Sequence, residues 1–234
     1  MEKAHPYNRG NSTGRKRLVK DTDGTRANVA RFDEIAATWD ESPVRSGLAQ
    51  AIGRAILEAA EPQGTERALE FGCGTGLITA LLAPALKHVV AADNSEGMLD
   101  VLRSKTEALG MTNVEPRRVD IGKDLPHGPF DLIFSGMTMH HIGDVAGLLR
   151  RLAGQLAPGG MIAVADLEAE DGTFHGDAEG IMHHGFDPEQ VVRWLADAGL
   201  AQGKARRVHV VHKTGSDERE HDYPVFMATA RKPA

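Results

Sequence analysis

Apolar residues at Phe32, Ile35, Ala36 and Trp39 fall at helical spacing, which predicts a short amphipathic helix. Ser42-Pro43 then restarts the pattern: serine can cap, proline fits a first helical turn, and Leu48, Ile52 and Ile56 at four-residue steps mark one buried face of a helix ending near Glu61-Pro62. Next comes a short apolar run, residues 67–71, stopped by Gly72-Cys73-Gly74-Thr75-Gly76 and followed by a helical pattern over residues 77–86. The alternation repeats, with strands predicted over 88–93, 114–120 and 130–136 and helices over 95–109 and 145–156. Pro158-Gly159-Gly160 predicts a turn before a strand over 161–167.

Beyond Leu167 the chain is polar and rich in glycine and histidine as far as His184. Asp187-Pro188-Glu189-Gln190 then reads as a capped helix start, with Val191, Val192, Leu195 and Ala198 as its apolar face and Gly199 as its stop. Residues 206–213 and 223–231 are two β-like runs joined by a charged loop over 214–222, which predicts a closing antiparallel hairpin. Strands alternating with helices, and strands that are continuously apolar, define an α/β protein with a parallel sheet covered on both faces. The expected organisation is a weakly ordered basic extension over residues 1–27 and one domain over 28–234. Two helices precede the first strand of that domain, and a cover segment spans about 167–186.

Composition narrows the function. A chain of 234 residues, 41% hydrophobic, suits one globular domain, and no apolar run approaches the eighteen or so residues of a membrane span. The single cysteine, Cys73, can form neither an intramolecular disulfide nor a cysteine metal cluster, which suits a reducing, cytoplasmic setting. Residues 1–26 carry seven Lys/Arg against three Asp/Glu, leaving twenty basic side chains against thirty acidic ones in the remainder. So acidic a body argues against a broad nucleic-acid-binding face.

In a parallel sheet, ligands bind beyond the carboxyl ends of the strands, where the glycine loop lies. Gly72, Gly74 and Gly76 let backbone approach a ligand closely, although a plain tight turn would use the same residues. A dinucleotide fingerprint needs a third glycine three places after the second, whereas here Gly76 comes one place early. Glu70, two residues before the loop, suits a ligand ammonium group and disfavours a pyrophosphate. Asp93 ends the second strand, where a carboxylate can accept from ribose hydroxyls; Asp120 ends the third and could accept from an adenine amino group, with Ile121 against the ring.

Together these residues resemble the class I S-adenosylmethionine-dependent methyltransferases over roughly residues 30–232. Leu69-Glu70-Phe71-Gly72-Cys73-Gly74-Thr75-Gly76 is similar to the family's first motif, Ala92-Asp93-Asn94-Ser95 with Met98 to its second, and Val119-Asp120-Ile121 to its third. Residues 130–135 resemble its fourth-strand motif. Met139-His140-His141-Ile142 and Leu156-Ala157-Pro158-Gly159-Gly160 resemble its small-molecule branch. The resemblance implies a Rossmann-like, seven-stranded, mostly parallel sheet with an antiparallel last strand, and S-adenosylmethionine as cofactor. It also implies that Glu70, Gly72, Cys73 and Gly74 hold the methionine portion, that Asp93, Asn94 and Met98 serve the ribose end, and that Asp120 and Ile121 hold the adenine. Ser135 and Gly136 would lie beside the sulfonium.

The reaction so implied is an in-line displacement, in which positioning can supply effective molarities of about 10⁵–10⁸ M and a general base about 10²–10⁴-fold. Candidate bases are His140, His141 and Asp166, the last either as a base or as an orienting group. Trp39, His140, His175, His183 and His184 are the candidate acceptor-binding residues, Trp39 having core packing as its alternative. Trp194 reads as core. The histidines and Asp166 are metal-ligand types without metal-ligand spacing, and no metal site is expected.

The acceptor is expected to be a small molecule. Nucleic-acid base and glutamine methylating relatives carry an Asn/Asp-Pro-Pro-aromatic motif after the fourth strand, where Ser135-Gly136-Met137-Thr138 stands here. Neither a nucleic-acid nor a membrane partner is expected, and oligomeric state is not encoded legibly. The alternatives are a non-catalytic module that binds adenosyl ligands and, disfavoured by the glycine spacing and Glu70, a nicotinamide-dependent oxidoreductase.

Overall fold

The computed structural model describes residues 22–234, so the expectation for residues 1–21 lies outside the described chain. One seven-stranded sheet runs in the order β3-β2-β1-β4-β5-β7-β6. Its strands are β1 (Arg67–Phe71), β2 (His88–Asp93), β3 (Val114–Arg118), β4 (Phe130–Gly136), β5 (Leu156–Leu167), β6 (Ala201–Thr214) and β7 (Glu220–Arg231). Strands β1 to β5 pair in parallel, and β7 inserts antiparallel between β5 and β6. Strand order reverses between β1 and β4, which opens a crevice at their carboxyl ends.

Period-two alternation assigns the helices to faces. Leu69 and Phe71 of β1 pack with α5 (Val145–Gln155) and α6 (Pro188–Asp197). Ala68 of the same strand shares the opposite face with α2 (Pro43–Ala60) and α3 (Leu77–Leu82). α4 (Glu96–Leu109) adds Leu99 and Leu102 beside Ala91 and Cys73. Caps fix several of these ends: Ser42 accepts from the Arg45 amide, Ser95 from Met98 and Asp187 from Glu189.

Several boundaries differ from expectation: β3 ends at Arg118, short of Asp120, and α3 gives way at Ala83 to a 3-10 turn, Ala83–Ala85. The first helix, α1, spans Thr22–Ile35, and Trp39 sits in a 3-10 turn, Ala36–Glu41, rather than in the same helix. Residues before Phe32 carry little apolar periodicity; polar contacts to α4 dock the helix, as described below. Pro158-Gly159-Gly160 lies within β5, where the ladder with β4 jumps from Phe130↔Leu156 to Leu132↔Met161 and Gly159 takes a φ of 77°. A left-handed glycine absorbs extra residues there without ending the strand. The closing hairpin forms, with both strands longer than their apolar runs: β6 begins at Ala201 with exposed residues, because β7's ladder defines an edge strand whatever its polarity.

Candidate active site

A single cavity of about 1110 Å³ opens along the carboxyl edge of the sheet and is roofed by α1, the 3-10 turn after it, the start of α2 and the segment after β5. The usual ligand cleft holds about 300–1,000 Å³, so this one has room for two ligands together.

The glycine loop forms its floor. A Cβ on Gly72, whose φ is 65°, would run into the Thr138 side chain from the loop after β4. That close approach lets two strand-end loops meet at the switch point. Asp93 then clamps both sides of the loop: Oδ2 accepts from the Gly74 amide at 2.8 Å and Oδ1 from the Ser95 amide at 2.9 Å. Asp93 also lines the cavity, and a carboxylate oxygen can accept more than one hydrogen bond. Burial raises the Asp93 carboxyl above its ordinary value, against the lowering effect of those amides.

Glu70 is 1% exposed and lines the same floor. It accepts a short hydrogen bond from the Thr79 hydroxyl of α3 and has no ion-pair partner among the described residues. Burial pushes its pKa up to about 8, with the Asp93 charge adding to the rise and Thr79 and Lys105 opposing it. A buried carboxyl so placed fits a ligand ammonium, whose charge would supply what the protein withholds. Cys73, Asn94, Met98, Asp120 and Ile121 also line this end. Burial raises the Cys73 thiol well above its ordinary range, so it stays protonated. Asp120 accepts from the Gly122 amide and Lys123, while Arg151 of α5 donates to the carbonyls of Ile121, Gly122 and Lys123 and shapes the loop.

At the other end of the cavity lie the histidines. Met137 at the end of β4 takes a left-handed φ of 59°, uncommon for a side chain of its size, and a 3-10 turn, Met139–His141, follows. His140 is 1% exposed, and its Nδ1 lies 2.7 Å from Asp166 Oδ1; Asp166 Oδ2 accepts from the His140 amide. In the neutral ring with Nδ1 donating, Nε2 is the accepting nitrogen. Burial would raise the Asp166 carboxyl, but His140 and the amides of Leu167 and His140 outweigh it and hold it below its ordinary value. His141 lies 4.2 Å and His175 4.8 Å from His140, ring centroid to centroid. Burial first, then the neighbouring imidazoles, lower His141 to about 4 and His175 to about 3. Both rings are neutral at pH 7.

Several expected placements do not hold. Ser135 points away from the cavity, its hydroxyl donating to the Phe71 carbonyl at 2.7 Å; strand alternation leaves Gly136 to line it. Asp166 is fully buried behind His140 and does not line this cavity, so it can orient the ring but not touch a ligand there. His183 turns to the Ile142 carbonyl at 2.9 Å, and the exposed His184 faces Glu170, because the segment is anchored through the amides of Met182 and His183 on the His140 carbonyl. Neither lines the cavity. Trp39 does line it, with one ring face covered by the Arg45 guanidinium at 3.9 Å. Among the described residues no group of three or more His, Cys, Asp or Glu is arranged to hold a metal.

Two acids had no motif to announce them. Asp33 of α1 accepts from the Ser95 hydroxyl at 2.6 Å and the Gly97 amide at 2.9 Å. Asp40 accepts from the Thr75 hydroxyl at 2.5 Å and pairs with Lys105 at 2.7 Å. They latch the amino-terminal cap onto the glycine loop and the start of α4.

Comparison with known proteins meets this geometry from the other side. A family described as a methyltransferase domain matches residues 68–160, from β1 into β5. An uncharacterised methyltransferase of Schizosaccharomyces pombe is 32% identical over 155 residues, covering 58% of this chain and 54% of that protein. The aklanonic acid methyltransferase DauC of a Streptomyces species is 30% identical over 150 residues, covering 61% and 66% respectively. The structure of the DhpI–SAH complex superposes with a TM-score of 0.68 at 20% identity, covering 89% of this chain and 96% of that one, and so shares its fold. The chain belongs to the class I S-adenosylmethionine-dependent methyltransferases, the family whose methyl donor is S-adenosylmethionine. That membership decides against the nicotinamide alternative. The chain spans about half the length of the first of these curated relatives.

Proposed function

We propose that this chain transfers the methyl group of S-adenosylmethionine to a small-molecule acceptor. One observation carries the reading: Glu70, the glycine loop, Asp93 and Asp120 open onto the same cavity as His140, whose ring is held from behind by Asp166. Residues 28–234 act in this reading as one methyltransferase domain, with about 167–186 as its cover.

Glu70 and the Gly72–Gly74 backbone would hold the methionine portion, Asp93 with Asn94 and Met98 the ribose end, and Asp120 with Ile121 the adenine. When bound, S-adenosylmethionine supplies an electrophilic methyl on a sulfonium, which passes to an acceptor lone pair as the carbon–sulfur bond breaks. The roof of α1 and the 3-10 turn would shield a bound donor from solvent. His140 Nε2 takes the proton that the acceptor loses, and Asp166, as a positioning residue, fixes the ring through Nδ1. His141 is the second candidate base, since its Nδ1 faces the Gly180 carbonyl at 3.0 Å and leaves Nε2 to accept.

The test is calorimetric titration with S-adenosylmethionine, S-adenosylhomocysteine and NAD, followed by a methyl-transfer screen over phenols, thiols and amines. Micromolar binding of both adenosyl ligands but not NAD, with turnover on at least one acceptor, is expected. Binding without turnover on any acceptor class would move the chain to a ligand-binding module, and binding of NAD alone would overturn the reading.

A further inference from the structure

Three cations surround the acceptor end, and all three are stacked on rings. Arg45 lies over Trp39 at 3.9 Å, Lys213 over Phe174 at 4.3 Å and Arg31 over Phe32 at 5.0 Å. Their rings form one arc around the imidazoles: Phe32 meets Trp39 at 5.6 Å and His141 at 5.4 Å, and Phe174 meets His175 at 4.6 Å. The cations come from α1, α2 and the carboxyl end of β6, and all three line the cavity.

None of the three forms an ion pair among the described residues, although the body of the chain carries an excess of acidic side chains. Each makes one hydrogen bond to the protein: Arg31 Nη2 to the Asn28 carboxamide at 3.2 Å, Arg45 Nη1 to the Trp39 carbonyl at 3.3 Å, Lys213 Nζ to the Phe174 carbonyl at 2.7 Å. Arg31 Nε is buried with no partner at all, as is His175 Nε2. Glu170 acts on Lys213 from beyond ion-pair distance and does not line the cavity. After burial, mutual repulsion is what lowers Arg45, through Arg31, and it also contributes to the lowering of Lys213, through Arg45. Like charges held together, with donors left over, make a site complementary to an anion.

We propose that the acceptor is an anionic small molecule whose carboxylate or phosphate group docks on Arg31, Arg45 and Lys213, with the rest of the molecule against the ring arc and His140. Calling this ligand the acceptor rests on the methyl-transfer reading; the anion site does not.

The experiment titrates benzoate, phenyl phosphate and neutral benzamide into the full chain, with and without saturating S-adenosylhomocysteine. At least one anion is expected to bind, with benzamide at least tenfold weaker. Arg45→Gln and Lys213→Met should each weaken the anion at least tenfold while Arg45→Lys keeps it within threefold, which separates lost charge from lost fold. A preference for phenyl phosphate over benzoate, or the reverse, assigns the group. Absence of binding by both anions, equal binding of benzamide, or anion affinity unchanged in both charge-removing variants would overturn the proposal. Failure of S-adenosylhomocysteine to bind, with charge-dependent anion binding retained, would remove the methyl-transfer reading and leave the anion site standing.

Discussion

The two ends of the cavity are built by different means. The end proposed for the cofactor is made of strand ends and the loops directly after them, so its groups lie within a few residues of a β-strand: Glu70 within β1, Asp93 closing β2, Asp120 two residues beyond β3. The acceptor end is gathered from α1, α2, the loop after β4, the segment after β5 and the end of β6, spanning Arg31 to Lys213. The first end is anchored by the sheet ladder; the second depends on how four surface elements lie on it. Perturbations of the strand-end floor should therefore change cofactor affinity, and those of the imidazoles and the ring arc acceptor handling.

The largest effect is expected from Asp93→Ala, which removes the proposed ribose acceptors and the clamp on Gly74 and Ser95. Affinity for S-adenosylhomocysteine should fall by about 10²–10⁴-fold, since each of two hydrogen bonds to a charged group contributes about 1.5–3 kcal/mol. Calorimetry checks it, with thermal unfolding showing whether the fold persists. His140→Gln should sharpen the contrast from the opposite end. On whichever acceptor the screen yields, kcat should drop by about 10²–10⁴-fold, while S-adenosylhomocysteine affinity stays within about threefold. A fall in cofactor affinity as large as the fall in rate would break the division.

Next comes Asp166→Asn, expected to lower kcat less than His140→Gln and to shift its pH profile, with acceptor KM little changed, because the residue acts through the imidazole and not on the ligand. Glu70 supplies a pH signature confined to the floor. Its carboxyl titrates near 8 when folded against an ordinary 4.5, so the folded chain keeps a proton that the unfolded chain has released. The Glu70 contribution to stability without ligand is full below about 4.5 and is lost as pH rises toward about 8. Glu70→Gln should flatten that decline in unfolding temperature. Cofactor binding at pH 7 should expel the proton, read as a dependence of binding heat on the buffer's ionisation enthalpy. The smallest effect belongs to His184→Ala, which should leave turnover within about twofold, as for most surface substitutions.

The same division explains what could be read without coordinates. Motifs at strand ends are local in sequence, so the placement of Glu70, Gly72, Gly74, Asp93 and Asp120 beyond the strand ends was legible, as were the parallel sheet and its antiparallel closure from the apolar runs. Asp33, Asp40, Arg31, Arg45 and Lys213 belong to no spacing pattern; only the packing of distant elements brings them to the cavity. Ser135 failed by a single residue, because neighbouring strand positions face opposite sides of the sheet. His183 and His184 failed because a histidine-rich loop does not announce which rings its backbone anchors will turn inward: His175 lines the cavity, the other two do not.

The latches at Asp33 and Asp40 carry a kinetic consequence. They fasten the roof through carboxylates to Thr75, Ser95, Gly97 and Lys105, beside the loop that would hold the cofactor, whereas the segment over the ring arc is held by hydrogen bonds to the carbonyls of His140, Gly180 and Phe174. If the carboxylate latches are the slower to open, cofactor exchange would break four such contacts, whereas acceptor and methylated product would pass the side held on carbonyls. Turnover should be ordered, with the donor entering first and its demethylated form leaving last, and Asp33→Asn with Asp40→Asn should speed that final departure in a stopped-flow displacement.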